Sequence, residues 1–345
     1  MKNDAVATPS VMRRWRLPPV AVAILGGVLV GGAILVLTGA DPFATYRAMI
    51  AGALWPANLP DTLNWAVPVI GMTLVAALPL RAGLLNLGGD GQMIIGAMVA
   101  ALVPLYCPGP AVVVVPLTML LAMTASGLYA MLAAWGEISR GIPMLISSLL
   151  LGYPAAGLTS YLVTFPLRDT STGLAQTRMI PPGMRLPVLA GPLNIGVLLI
   201  ALVAVIAIYV DRQTVAGYEV RMRGLNARFA AYGGIDLDRQ AYRIMFASGA
   251  IAGLVGTIIV LGSYFRFINY ALLAQGYGPT GFMAALLSGG ELVGAVIAGL
   301  FFAALQIGGV AMQRETEVPR VLTMVLQAMI ILFLALRTGL RKTAP

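Results

Sequence analysis

Residues 188–210 read VLAGPLNIGVLLIALVAVIAIYV, a run without a charged side chain that ends abruptly in Asp211 and Arg212. About 20 apolar residues, as a helix rising 1.5 Å per residue, are enough to cross the roughly 30 Å hydrocarbon core of a bilayer. Working outward from this run, similar ones occur at 19–39, 62–80, 91–106, 112–135, 142–165, 242–263, 292–312 and 319–337, and a shorter apolar piece at 279–290 sits between Gly-rich flanks. Over all 345 residues 59% are hydrophobic and 10% charged, with a mean hydropathy of +0.90, against about 45–50% and about 25% in soluble domains. One compact body of this size has no room to hide so much apolar surface, so lipid must solvate its outside. The expected fold is all-α, a polytopic transmembrane helical bundle of about 8–10 spans, with tails at 1–18 and 339–345 and a membrane domain at 19–338.

The residues that are missing narrow the chemistry. There is no histidine, which removes His-based triads and His metal clusters. Cys107 is the only cysteine, so no internal disulfide or CxxC site forms, and no metal or cofactor is expected. The lysines are Lys2 and Lys342, both at the termini, so the chain has no G-x-x-x-x-G-K-S/T phosphate-binding loop. It cannot hydrolyse ATP by that route.

The net charge is +9. In a membrane chain, basic residues collect on the cytoplasmic side and attract anionic lipid, so the expected partner is the bilayer and not nucleic acid. If 279–290 crosses or half-crosses, both termini are cytoplasmic, and fifteen of the 22 basic residues fall inside with seven outside. The basic start, Arg13, Arg14 and Arg16, runs into an apolar segment without a small-residue cleavage site, which is expected to stay as an anchor. Residues 166–187 would face outward, as a connector or as a docking surface. Residues 211–241 would face the cytoplasm, and the mixture of charge with Val220, Met222, Leu225 and Phe229 reads as a short amphipathic helix or helix-turn-helix outside the bilayer.

Two segments echo one another. GGDGQMIIGAMVAAL (88–102) and GYGPTGFMAALL (276–287) each place a Gly-rich break before a small-residue helix, the plan of an inverted repeat with broken helices around a pathway. The turn RAGLLNLGGDGQ (81–92) gathers Arg81, Asn86, Gly88, Asp90, Gly91 and Gln92 at a span boundary. Asp90 either lines a water-filled route or caps the helix that it opens. Glu291, preceded by Ser288, Gly289 and Gly290, reads better as a helix cap. Gly27/Gly31, Gly249/Gly253 and Gly290/Gly294 are spacings for close helix packing.

Four stretches carry a family resemblance from about Asp41 to Arg337: RAGLLNLGGDGQMIIGA (81–97), RMRGLNARFAAYGGI (221–235), GYGPTGFMAALLSG (276–289) and MQRETEVPRVLTMVLQAMIILF (312–333). They resemble permease subunits of bacterial ATP-binding-cassette importers for simple sugars, branched-chain amino acids and nucleosides. The nucleoside type is the most similar, through PLRD (166–169), Gln176-Thr177 and Met312-Gln313. GIPM (141–144), Leu151-Gly152-Tyr153 and Pro279-Thr280 depart from the family pattern. The resemblance implies a transport subunit in the bacterial inner membrane, with no enzyme activity of its own. Its implied partners are an ABC ATPase subunit, a second permease subunit, identical or homologous, and an external substrate-binding protein or lipoprotein. It also implies that Arg221, Arg223, Gly224, Asn226, Ala230, Tyr232, Gly234 and Ile235 couple the chain to the ATPase, and that Arg81, Asn86, Gly88, Asp90, Gly91, Gln92, Gly276, Gly278 and Gly281 belong to the translocation pathway.

Two rival classes stay open. A secondary transporter driven by an ion gradient fits the inverted echo, against a scarcity of buried charge. A membrane enzyme needs clustered acids, for which the sequence offers only Asp236/Asp238 and Glu315/Glu317.

Overall fold

The computed structural model describes residues 19–316, 318–319 and 321–342, with side chains from 23 to 333. The tail 1–18, Glu317, Arg320 and the last three residues lie outside the described residues. Helices α1 (Pro19–Leu37), α2 (Pro42–Leu54), α3 (Leu59–Arg81), α4 (Gly89–Tyr106), α5 (Ala111–Arg140) and α6 (Met144–Thr164) lead to a hairpin of β1 (Val188–Ala190) and β2 (Leu193–Asn194). Helices α7 (Gly196–Gln213), α8 (Val215–Leu225), α9 (Ala227–Tyr232), α10 (Leu237–Ile259), α11 (Ala271–Ala274), α12 (Tyr277–Leu287), α13 (Leu292–Thr316) and α14 (Val321–Lys342) follow. Seven of the described helices, α3 to α7, α10 and α13, are long and apolar enough to cross a membrane. α1 and α14 add shorter apolar stretches, which brings the fold into the expected range.

Several expected boundaries move. The run 188–210 is not all span: Gly191 and Pro192 break it, Gly191 takes a left-handed φ of 54°, and the chain turns through β1 and β2 before α7 begins at Gly196. Asn194 closes that corner, accepting from the Gly196 amide at 2.8 Å and donating to the Gly262 carbonyl at 3.2 Å. Helix α2 has no counterpart among the expected spans, because its 13 residues are too few for a crossing. It is started by Asp41, whose carboxylate accepts from the Phe43 amide, with Pro42 behind it. The segment 211–241 is mostly helical. α7 runs on to Gln213, α8 is capped by Thr214, α9 by Asn226 and α10 by Asp236. The expected helix-turn-helix is the α8–α9 pair, broken at Asn226.

The core is two interlocked units running in opposite directions. α4 and α5 pack on α10, while α12 and α13 pack on α3. Each broken helix therefore leans on the long helix of the other unit. α3 and α10 are antiparallel, with Gly71 against Val255 and the Ser248 hydroxyl donating to the Val75 carbonyl at 2.6 Å. Small residues permit these approaches: a Cβ on Gly96 would overlap Gly253, and one on Gly249 would overlap the Ser126 carbonyl. Gly27 and Gly31 serve α1 in the same way against Ile330 and Leu326 of α14. The Gly290/Gly294 pair does not act as one helix face, since Gly290 sits in a turn at φ 79° and the Gly294 amide donates to Glu291, the cap of α13.

Residues 166–187 are laced to the far end of α10 by backbone hydrogen bonds. The Thr177 amide donates to Phe267 at 2.9 Å, Leu186 to Leu261 at 2.9 Å, and Asn269 to Ala175 at 3.1 Å. Arg185 lies over the Phe265 ring at 4.3 Å.

Gly253→Leu is expected to force α5 off α10, since a Cβ at Gly253 already meets the Ala122 carbonyl and Ser126. Such overpacking costs about 1–3 kcal/mol or more. Recovery of monodisperse protein after mild detergent extraction should fall severalfold, whereas Gly173→Ala, in open space, should leave it unchanged.

Candidate functional site

Helix α3 stops at Arg81 because Gly83 enters the left-handed region at φ 75°, and the chain then runs without regular structure from Leu84 to Gly88. Backbone freed inside the bundle must find partners there. Asn86, buried, supplies them: its Oδ1 accepts from the Gly88 amide at 2.9 Å and from Gln92 Nε2 at 3.1 Å, and its Nδ2 donates to Gln92 Oε1 at 3.0 Å and to the Ser248 hydroxyl at 2.9 Å. Ser148 accepts from the Leu87 amide at 3.1 Å, and Ser126 donates to the Gln92 carbonyl at 2.8 Å. The turn is thereby pinned to α5, α6 and α10. Gly88 and Gly91 allow the close approach to α6, where a Cβ would overlap the Ser148 carbonyl or crowd Gly152.

Asp90 does not cap its own helix, whose first turn has Gly88 as N-cap and no side-chain cap bond. Its Oδ1 instead accepts from the Gly278 amide at 3.0 Å, at the start of α12. Gly276 opens that helix at φ 68°, a Cβ on Gly278 would overlap the carboxylate, and one on Gly281 would overlap the Met72 backbone. α12 has eleven residues, about 16 Å of helix, half of a hydrocarbon core. It runs from Asp90 to the end of α3, where Gly290 lies against Leu80 and Arg81. The two glycine-rich echoes of the sequence thus meet inside the bundle. A cavity of about 290 Å³ opens at the junction, lined by Asn86, Asp90, Met72, Leu149, Gly278 and Phe282.

Arg81 lies at the other end of the same turn. Its guanidinium makes a two-pronged bond to Asp211 of α7 at 3.1 and 3.0 Å, and Arg221 of α8 approaches the same carboxylate at 3.5 Å. Asp211 is 5% exposed, so the two cations compensate a nearly buried anion. Gly224 lies so close to the Arg81 carbonyl that a Cβ would overlap it. Arg223 donates to the Leu237 carbonyl. Loss of water on burial pushes its guanidinium below its ordinary value, opposed by Glu137 and Asp238. Asn226 caps α9 by accepting from Phe229 at 3.0 Å, Ala230 is buried, and Gly234, at φ 85°, turns the chain into Ile235 and α10. The far side of this pair is bare: Tyr232 is 92% exposed, Leu225 83% and Phe229 60%.

Of the residues singled out in the sequence, the pathway set and the coupling set therefore adjoin through one turn. Glu291 is a cap, as read: it accepts from the Gly294 amide at 2.5 Å and pairs with Arg212 at 3.0 Å. Partial burial raises its carboxyl, but those donors hold it below the usual value. Asp236 caps α10, and no acid cluster occurs among the described residues. Sequence reasoning did not single out Asp211, Ser126, Ser148 or Ser248. Asp211 could have been noticed as the charge that ends the uncharged run 186–210, but nothing in the chain order says that Arg81, 130 positions earlier, is its partner.

A helical bundle of inverted units, with a broken helix in each and a charged helical pair at one end, has the build of a membrane transport permease. The chain belongs to the family described as branched-chain amino acid transport system permease component, which matches residues 58–335. It is 35% identical over 326 residues to a glucose ABC transporter permease of Haloferax volcanii, covering 91% of this chain and 85% of that one. It is 28% identical over 328 residues to a guanosine ABC transporter permease of Bacillus subtilis, with 93% of each covered, and 27% identical over 330 residues to a nucleoside ABC transporter permease of Lactococcus lactis, with 92% and 90% covered. The protein is a multi-pass ABC transporter permease of the sugar and nucleoside group.

Asp211→Ala should leave Arg81 and Arg221 uncompensated. Removing one partner of a fully buried pair costs about 3–5 kcal/mol; the loss here should be smaller, since the two arginines keep 23% and 32% exposure. Thermal unfolding in detergent should report a lowered midpoint, and Asp211→Ala combined with Arg81→Met should recover part of it.

Proposed function

We propose that the chain is one of two permease subunits, identical or homologous, of an importer that admits a nucleoside or simple sugar, receives it from an external binding protein or lipoprotein, and is driven by a separate ATPase subunit. The observation that carries this reading is the unbroken path of contacts from α8 to the cavity. Gly224 lies on the Arg81 carbonyl, Arg221 and Arg81 share Asp211, the turn after Arg81 holds the Asn86–Gln92 network, and Asp90 holds the start of α12. The ATPase docks on the bare face of α8 and α9, through Leu225, Phe229, Tyr232 and the neighbouring Arg228. Displacement of α8 moves the turn, and with it the mouths of both broken helices. This end of the bundle is cytoplasmic, which agrees with its wealth of arginine; residues 166–187 then face the binding protein.

The cavity suits a solute with hydroxyls on one side and a flat or apolar face on the other. Asp90 keeps one carboxylate oxygen beyond the bond to Gly278 for a sugar hydroxyl, and Met72 and Phe282 offer an apolar wall. The names of the relatives, glucose, guanosine and nucleoside, point to the same chemistry.

Uptake of radiolabelled uridine, guanosine, ribose and glucose by cells with and without the gene, before and after ATP depletion, tests the reading. Gene- and ATP-dependent uptake of one of them is expected; uptake that survives ATP depletion while an ion gradient is kept would favour a secondary transporter. Gly224→Leu should leave the amount in the membrane within about twofold and abolish uptake and partner-stimulated ATP hydrolysis, and normal uptake in that variant would sink the coupling role.

Asp90→Asn retains an acceptor for the Gly278 amide while removing the charge. Uptake is expected to fall at least tenfold at constant protein level; undiminished uptake would make Asp90 a helix cap only.

A further inference from the structure

Helix α7 is mostly uncovered by protein along its apolar length, and where it stands off from α10 a cavity of about 420 Å³ opens, lined also by α3 and α8. Gln240 and Ile251 of α10 both line it. Eleven residues of helix separate them, about 16 Å of rise, which is half of a roughly 30 Å hydrocarbon core. Gln240 lies at the same end of the bundle as Asp211 and α8, so the cavity extends from the bilayer surface to about its midplane, the depth of one leaflet. Its deep part is walled by apolar side chains such as Val203 and Ile251, where water would lack the polar partners it needs.

The shallow end is built differently. Gln240 is 6% exposed, yet neither its Nε2 nor its Oε1 has a hydrogen-bond partner among the described residues. Arg81 and Asp211, which also line the cavity, are occupied with one another. Arg243 and Glu219 line it as well, and neither forms an ion pair among the described residues. One cation, one anion and one buried amide are thus left without partners around the mouth of an apolar slot of leaflet depth.

We propose that this cavity is a binding site for a phospholipid with a phosphoethanolamine headgroup. Its acyl chain lies between α7 and α10, its phosphate accepts hydrogen bonds from Arg243 and from Gln240 Nε2, and its primary ammonium donates to Glu219 and to Gln240 Oε1. A headgroup with phosphate alone would leave Glu219 facing like charge, and a choline headgroup has no N–H to donate. Since α7 carries Asp211, the lipid would brace the helix to which α8 is fastened.

The test is native mass spectrometry of the full-length chain, extracted in mild detergent and exchanged with palmitoyl-oleoyl phosphatidylethanolamine, phosphatidylglycerol or phosphatidylcholine. One phosphatidylethanolamine per chain should be retained, at least tenfold more than either alternative. Gln240→Leu with Arg243→Ala should cut that retention at least fivefold, and Glu219→Gln should abolish the preference over phosphatidylglycerol. No retained lipid in the wild type, equal retention of all three headgroups, preference for phosphatidylglycerol, or unchanged retention in the variants would each overturn the proposal. Should the double variant not fold, the headgroup preference of Glu219→Gln decides by itself. The readout is independent of uptake, so the transport reading and the lipid site fail or stand separately.

Discussion

A helix interrupted inside a bilayer bares backbone amides where there is no water to accept from them. In this chain Asp90 meets one such amide, that of Gly278, and so joins the starts of α4 and α12, the two helices that begin within the bundle. The bond requires glycine at 278, because any side chain would occupy the place of the carboxylate. It also explains how a carboxyl is retained at membrane depth: it satisfies a partner that the fold itself would otherwise leave open. The cavity at this junction lies where the half-length α12 and the start of α4 meet, at a place that one continuous helix would have closed.

The same economy of partners governs the turn leading to Asp90. Asn86 alone serves the Gly88 amide, Gln92 and Ser248, so the irregular stretch from Leu84 to Gly88 is tied by side-chain hydrogen bonds to the helices beside it. At its other end, Arg81 and Arg221 share Asp211, which fastens α3, α7 and α8 together. Flexible connection between α8 and the cavity would dissipate any movement delivered to α8. Here the intervening residues are hydrogen-bonded side chains and backbone in contact, the continuous link on which the proposed coupling rests.

The inverted arrangement depends on small residues. α10 lies against α4 and α5 through Gly249, Gly253 and Gly256, and α12 against α3 through Gly281. Among helices that share a lipid solvent, close van der Waals approach replaces the hydrophobic drive of a water-soluble core. That accounts for glycine appearing so often at the crossings, while large side chains such as Leu198 and Leu202 of α7 turn outward to lipid.

Length and polarity of apolar runs determined that this chain is a multi-pass helical membrane protein, because a span must be about 20 apolar residues whatever its neighbours are. Glycine-rich breaks at 81–92 and 276–281 were equally legible, since a local conformation is written in local residues, and so was the cap at Glu291. The helix α2 and the hairpin at 188–194 were not: the first is too short to register as a span, and the second hides in an apolar run whose Pro and Gly end the helix early. The absence of a phosphate loop likewise follows from the places of the two lysines in the chain. Only the tertiary structure decided that Asp90 caps a helix 188 positions away, that Asp211 takes Arg81 and Arg221 as partners, and that Gly224 abuts the Arg81 carbonyl. Those pairings arise from the interlocking of two antiparallel units, in which each broken helix packs on the long helix of the other; chain order carries no record of which distant residues that packing brings within hydrogen-bonding reach.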